Sequence, residues 1–351
     1  MGCSKSTEKP EQVDISVQIQ KLVDLNSVQS LGKLYLEPKK VPDINSIMIR
    51  FGTLNCNPLG YALTKGKLDS FKYIYTRMGG LIQTMEEIFN CQGYRSIDLL
   101  CMQGHMHMIK FYLPVYKSIF IDSPEKSQKD LQDTYSFASS ASLVALPSFK
   151  YTPIQYACLY ENLNLVRFFV QYFNNKPLPY LFDLDYQNEL SGENCALISC
   201  KVGNYKLMKF LHEECKANFH VLNKREENAL LILAAASNKV DYCDYLMCFR
   251  YLISIIKIDP RYKYEEIVIL LNNYKILEIL YEALEPYEIF PDKAQLEKMN
   301  TIKYDYTETN NEDLSNLILI SEKTSLLSSV KNEDINNTSQ FSNISAFVKY
   351  N

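Results

Sequence analysis

Few side chains in this sequence suit catalysis or metal binding, and their spacing limits what they can do. Cys101, His105 and His107 lie within seven residues, and Cys101 and His105 are spaced i,i+4, on one face of a helix. Thiolate and imidazole at that spacing can hold zinc, but a closed site needs a fourth ligand, which the sequence does not supply at motif spacing. A structural role is therefore expected for the trio, and no metal. Cys195 and Cys200 are five apart, as are Cys243 and Cys248, and the ten cysteines include no Cys-x-x-Cys pair. They read as reduced thiols, most of them small core residues. The other histidines, His212 and His220, fall in or just after a helix and read as solvent-facing or capping groups. The sequence contains no Gly-rich phosphate loop, Gly-x-Ser-x-Gly or His-Glu-x-x-His. No cofactor and no enzymatic activity are expected. An enzyme whose catalytic part sits in an insertion or tail stays a lesser alternative.

The opening residues Met1-Gly2-Cys3-Ser4-Lys5-Ser6 fit an acylation signal. Gly2 would carry a myristoyl chain on its amine, and Ser6 stands at the required hydroxyl position. One such chain binds a bilayer marginally, so a second signal is needed. Lys5 and Lys9 are offset by Glu8 and Glu11, which leaves palmitoylation of Cys3 as that signal. No apolar secretory core is seen near the N-terminus. The longest purely apolar run, Ala229–Ala236, is far short of the ~20 residues a span requires. The expected location is peripheral, on the cytosolic face of a membrane, with a soluble adaptor lacking the anchor as the alternative. The three Asn-x-Ser/Thr sequons, at Asn336, Asn337 and Asn343, are then silent. The net charge is −4, with no basic excess, so nucleic acid is not an expected partner.

The elements that would position any site come from an internal repeat. A nine-residue frame runs Gly66-Lys-Leu-Asp-Ser-Phe-Lys-Tyr-Ile74 and recurs from Gly104, Glu161, Gly203, Asn238 and Asn272, with a further copy from Asn26. Gly or Asn usually opens the frame, where a left-handed residue would join two helices. Apolar residues follow at +2, +5 and +8, on one helical face. Four positions before the anchor stands a small or apolar residue, Ala62, Leu100, Ala157, Ser199, Ala234 or Val268, and a small one there lets the first helix approach its neighbour closely. Two segments overlap these positions, Thr152-Pro153-Ile154-Gln155-Tyr156-Ala157 and Asn57-Pro58-Leu59-Gly60-Tyr61-Ala62.

These motifs resemble the ankyrin repeat, which opens Thr-Pro-Leu-His-x-Ala and continues to a Gly-led second helix. Openings at Arg95, Asn194, Ala229 and Lys263 lack the proline and are degenerate. Starts at 57, 95, 152, 194, 229 and 263 are 38, 57, 42, 35 and 34 residues apart, so several joints carry insertions. The resemblance implies an all-α solenoid of helix–turn–helix hairpins, six to seven degenerate repeats over residues 15–290. Residues 1–14 then form a lipidated, flexible N-terminus. The largest insertion lies at about 114–150. Residues 291–351 read as a low-complexity, mostly disordered tail, with Leu314–Ile320 as a short helix that caps the last repeat.

A stack of this kind implies a scaffold or adaptor that binds another protein as a monomer. Its free surface would lie just before each repeat start and late in each first helix, which here places Tyr94, Tyr151, Tyr160, Tyr186, Lys224 and Arg225 toward a partner. Lys72, Lys110, Arg167 and Lys209 recur at anchor +6. They read as a solvated helix face, with a footing on anionic lipid or an acidic partner as the alternative.

Overall fold

A computed structural model describes residues 14–35, 42–122, 150–173, 179–236 and 242–302. Its elements are helical hairpins in series: Ile15–Asp24 (α1) with Val28–Tyr35 (α2), and Pro58–Thr64 (α3) with Leu68–Arg77 (α4). A separate helix, Ile82–Asn90 (α5), follows. Next come Ser96–Gln103 (α6) with Met106–Tyr116 (α7), and Pro153–Leu159 (α8) with Leu163–Tyr172 (α9). The series continues with Cys195–Val202 (α10) and Tyr205–Glu213 (α11), Ala229–Ala235 (α12) and Tyr242–Tyr251 (α13), and Tyr264–Leu270 (α14) and Tyr274–Leu284 (α15). The first helices of successive hairpins pack on one another in chain order, so each repeat touches chiefly its neighbours. The strands among the described residues are a short antiparallel ribbon, Ile49–Phe51 (β1) with Leu54–Cys56 (β2).

Local chemistry explains why these residues form hairpins. Asn57, Thr152, Asn194 and Asn228 each accept a backbone N–H of the first helical turn on their side chains. Pro58 and Pro153 sit in the first turn, where no N–H is needed. The junctions at Asn26, Gly66, Gly104, Glu161 and Gly203 all have positive φ, between 49° and 72°. At Gly104 an added Cβ would also lie 2.8 Å from the Asn162 side-chain oxygen, so both conformation and space demand glycine. The frame's +5 and +8 residues, such as Phe71 and Ile74 or Val166 and Phe169, are fully buried. Ala62, Leu100, Ala157, Ser199, Ala234 and Val268 are all buried at the helix–helix contacts. This register is that of a solenoid of stacked helix–turn–helix hairpins.

Three features depart from the sequence reading. Asn272 does not take the left-handed turn: α14 runs into an extended Leu271, and Asn273 caps α15 through Lys275 and Ile276. Asn238 lies outside the described residues. The insertion expected from about residue 114 begins later, because α7 runs through Pro114 to Tyr116 and a π turn follows over Lys117–Ile121. Stacking of Tyr116 on Tyr112 and Phe120 packs this end. Finally, residues 293–302 are helical, with Met299 and Ile302 packed on the core. The Leu314–Ile320 run lies outside the described residues, as does the segment 123–149.

Candidate protein-binding face

The loops that precede the first helices are bonded to one another from repeat to repeat. The Arg95 guanidinium donates to the Tyr151 carbonyl at 2.8 Å, and the Gln155 amide to the carbonyls of Tyr186 and Glu193 at 2.8 and 3.1 Å. Asn194 donates to the Asn218 carbonyl at 2.8 Å. The loop over residues 188–193 folds on itself through Asn188 and Glu193, and its Ser191 carbonyl accepts the Lys224 N–H at 2.9 Å. The Gln187 amide bridges to the Leu222 carbonyl, and the Lys224 ammonium to that of Glu189. Each polar backbone group fixed in this way holds its loop in one place, the condition for a precise recognition surface.

Six residues were expected on this face, and the structure separates them. Tyr160, which caps α8, is 47% exposed, and Lys224 and Arg225 are exposed at a loop tip. Tyr94 and Tyr186 are half-buried. Tyr151 is the correction: it is buried, its ring packs edge-on against Tyr156, and its hydroxyl donates to Glu193 at 3.1 Å. Burial and the Glu193 carboxylate together raise its hydroxyl pKa, so it stays a neutral donor inside the stack. Tyr94 packs against Tyr156, and Tyr186 against Tyr180, with ring centroids 6.4 and 5.8 Å apart.

The sequence reading missed Tyr180, 60% exposed, and Leu190 and Leu222, 54% and 42% exposed on adjacent loop tips. The 42-residue spacing between the starts at 152 and 194 was the available signal, since it requires a long loop just there. Between these loops lies an open cleft of about 580 Å³ lined by Gln187, Asn188, Glu189, Gly192, Leu222, Asn223 and Lys224. The cleft joins the apolar tip of Leu222 to the Lys224 cation, a pairing that suits a polypeptide partner, which presents both apolar side chains and carboxylates.

The other candidates resolve into structure. The His105 ring bonds the Thr64 carbonyl at 3.0 Å and His107 the Gly66 carbonyl at 2.7 Å, tying the α6–α7 hairpin to the α3–α4 hairpin, while Cys101 is fully buried. Among the described residues no cluster of three or more metal-ligating side chains occurs. His212 bonds the Tyr251 hydroxyl at 2.9 Å. In the basic stripe, Lys72 lies over the Phe111 ring and Arg167 over Phe210, each cation on the next repeat's aromatic, and Arg167 also meets Glu214 at 3.4 Å. Gly2 and Cys3 lie outside the described residues. No helix among the described residues is long and apolar enough to cross a membrane.

One buried polar cluster was not foreseen at all. Glu86 on α5 accepts the N–H of Ser96 at the start of α6, at 3.1 and 3.3 Å. The Ser96 hydroxyl bonds that of Tyr112, and Asp98 takes both the N–H and the guanidinium of Arg95 at 2.9 Å. All are buried, and Asp98 Oδ1 has no hydrogen-bond partner among the described residues. Desolvation pushes the Glu86 carboxyl up to about 7 and Asp98 to about 6, despite the Arg95 charge.

No family model and no curated protein matches this chain. Solved structures that resemble it include the human ASB11 ankyrin repeat domain, at 14% identity and a TM-score of 0.35, with 66% of this chain and 96% of that chain covered. Another is a chain in the complex of the Bd0816 predatory endopeptidase from Bdellovibrio bacteriovorus with the immunity protein Bd3460. It shows 16% identity and a TM-score of 0.35, covering 65% of this chain and 95% of that chain. At these scores neither likeness adds to the fold, which rests on the hairpin geometry alone.

Proposed function

We propose that this chain is a non-enzymatic scaffold that holds another protein on the loop face around Tyr160, Tyr186, Lys224 and Arg225. We further propose that acyl chains on Gly2 and Cys3 tether it to the cytosolic face of a membrane. The observation that carries the first half is the set of exposed Tyr160, Tyr180, Leu190 and Leu222, with a cleft between loops locked by bonds from repeat to repeat. Tyr and Arg dominate binding hot spots because they bury large area and keep a polar end. The tether is supported by the residue order Met1-Gly2-Cys3-Ser4-Lys5-Ser6 and by the two-signal requirement.

The test is affinity purification of the tagged protein against a variant carrying Tyr160→Ala, Tyr186→Ala and Arg225→Ala together, with folding checked by circular dichroism. The captured partner is expected to be reduced at least tenfold. Unchanged capture, with loss on deleting residues 291–351, would move the binding element to the tail and sink the loop-face reading. In the same cells Gly2→Ala should abolish labelling by a myristate analogue and release the protein from membranes, while Cys3→Ser leaves weak, reversible association. Full retention of Gly2→Ala in the membrane fraction overturns the tether.

A further inference from the structure

The C-terminal end of the stack is left with an apolar step. Ile269 and Leu270, at the end of α14, are 71% and 39% exposed, and Leu296 on the helix over 293–302 is 46% exposed. These belong to one place, because the Lys298 ammonium donates to the carbonyls of Val268 and Ile269 at 2.8 and 3.2 Å. Lys298 thus closes the last turn of α14 from another helix and fixes the helix over 293–302 beside it. The last repeat of a solenoid has no following repeat to cover it, and an uncovered apolar end is a liability.

We propose that residues 314–320 fold back on the step formed by Ile269, Leu270 and Leu296 and close this end of the stack. The run reads Leu314-Ser-Asn-Leu-Ile-Leu-Ile320, in which Leu314, Leu317 and Ile318 share one helical face. Eleven residues separate it from Ile302. Extended, that linker reaches about 40 Å, ample for a return to α14. The linker is polar, with Asp305, Glu308, Glu312 and Asp313, so the next strongly apolar segment after the step is the run itself. A tether of this length supplies an effective concentration in the millimolar range, so even a weak contact is occupied. A second copy of the chain has no such advantage. Three side chains bury roughly a few hundred Å², below the ~1,000 Å² that a stable interface between separate chains needs.

The experiment places a cysteine at the step, Ile269→Cys, in the full chain and follows maleimide labelling of that peptide by mass spectrometry. It is compared with the same chain carrying Leu317→Asp and Ile318→Asp. Labelling is expected to be at least tenfold slower with the native run, at a rate independent of protein concentration. Hydrogen exchange of the amides over 264–270, measured without the cysteine, should show the same contrast. Equal labelling and equal exchange in the two chains overturn the proposal. Protection that grows with protein concentration also overturns it, in favour of a second copy.

Discussion

At the scale of the residue, the least conventional feature is Glu86, a carboxylate with no exposed surface to speak of and one positive neighbour shared with Asp98. Tyr112 and Tyr116 on α7, Asp98 on α6 and Arg95 at its N-cap are the titratable groups that face it. Its carboxyl sits at about 7 in the fold against an ordinary 4.5. Between those values the folded state binds more protons than the unfolded state, so stability is complete below about 4.5 and declines as pH rises toward 7. Asp98, at about 6 against 3.8, acts in the same direction. Glu86→Gln keeps an acceptor for the Ser96 N–H and removes the buried charge. It is expected to raise the melting temperature at pH 8 and to flatten the fall in stability between pH 5 and 8. The effect should be on the order of 3 kcal/mol, the linkage value of the displaced pKa. A pH profile parallel to that of the parent would show that the carboxylate is neutralised in another way.

At the scale of the element, Asn194 shows how one side chain sets both a helix and its neighbour. Its oxygen caps α10 through the Leu197 N–H at 2.9 Å, while its amide holds the Asn218 carbonyl of the next loop. Asn204 caps α11 in the same way, but its second bond goes to the Glu161 carboxylate at an exposed site. Asn204→Ala should therefore cost about 1 kcal/mol, the value of a cap. Asn194→Ala should cost roughly 1.5 to 3 kcal/mol, because it also breaks the part-buried bond to the Asn218 carbonyl. Chemical denaturation of the two variants side by side checks the order, and equal losses would show that the bridge between loops contributes nothing.

The repeat made the fold legible, and its starts fall at helix caps. Starts at Asn57, Arg95, Thr152 and Asn194 coincide with the helix caps, and the start at Ala229 misses Asn228 by one residue. Helix α5 escaped notice because its N-cap, Leu81, has no capping side chain; the Leu81 N–H is held by Asn45, 36 residues earlier in the chain. The same limit applied at the site. Position in the repeat placed Tyr151 and Tyr160 on one face, yet only the tertiary partners of Tyr151 reveal that it is buried. The acidic cluster was invisible for a related reason, since Glu86 and Asp98 meet only when α5 docks on the start of α6.

At the scale of the molecule, the stack is held by a chain of contacts between successive repeats. Arg95 reaches the Tyr151 carbonyl, Asn162 the Cys101 carbonyl, and the first helices α6 and α8 pack along their length. These contacts join the portion up to residue 122 to the portion from residue 150 onward without any use of the peptide link between them. Continuity of the backbone through 123–149 is thus dispensable for holding the two portions together. Two separate polypeptides, one ending at residue 122 and the other beginning at residue 150, are expected to co-purify as a stoichiometric pair when expressed together. Arg95→Ala should weaken that pairing, and a reporter enzyme split across the same cut should regain its activity only when both portions are present.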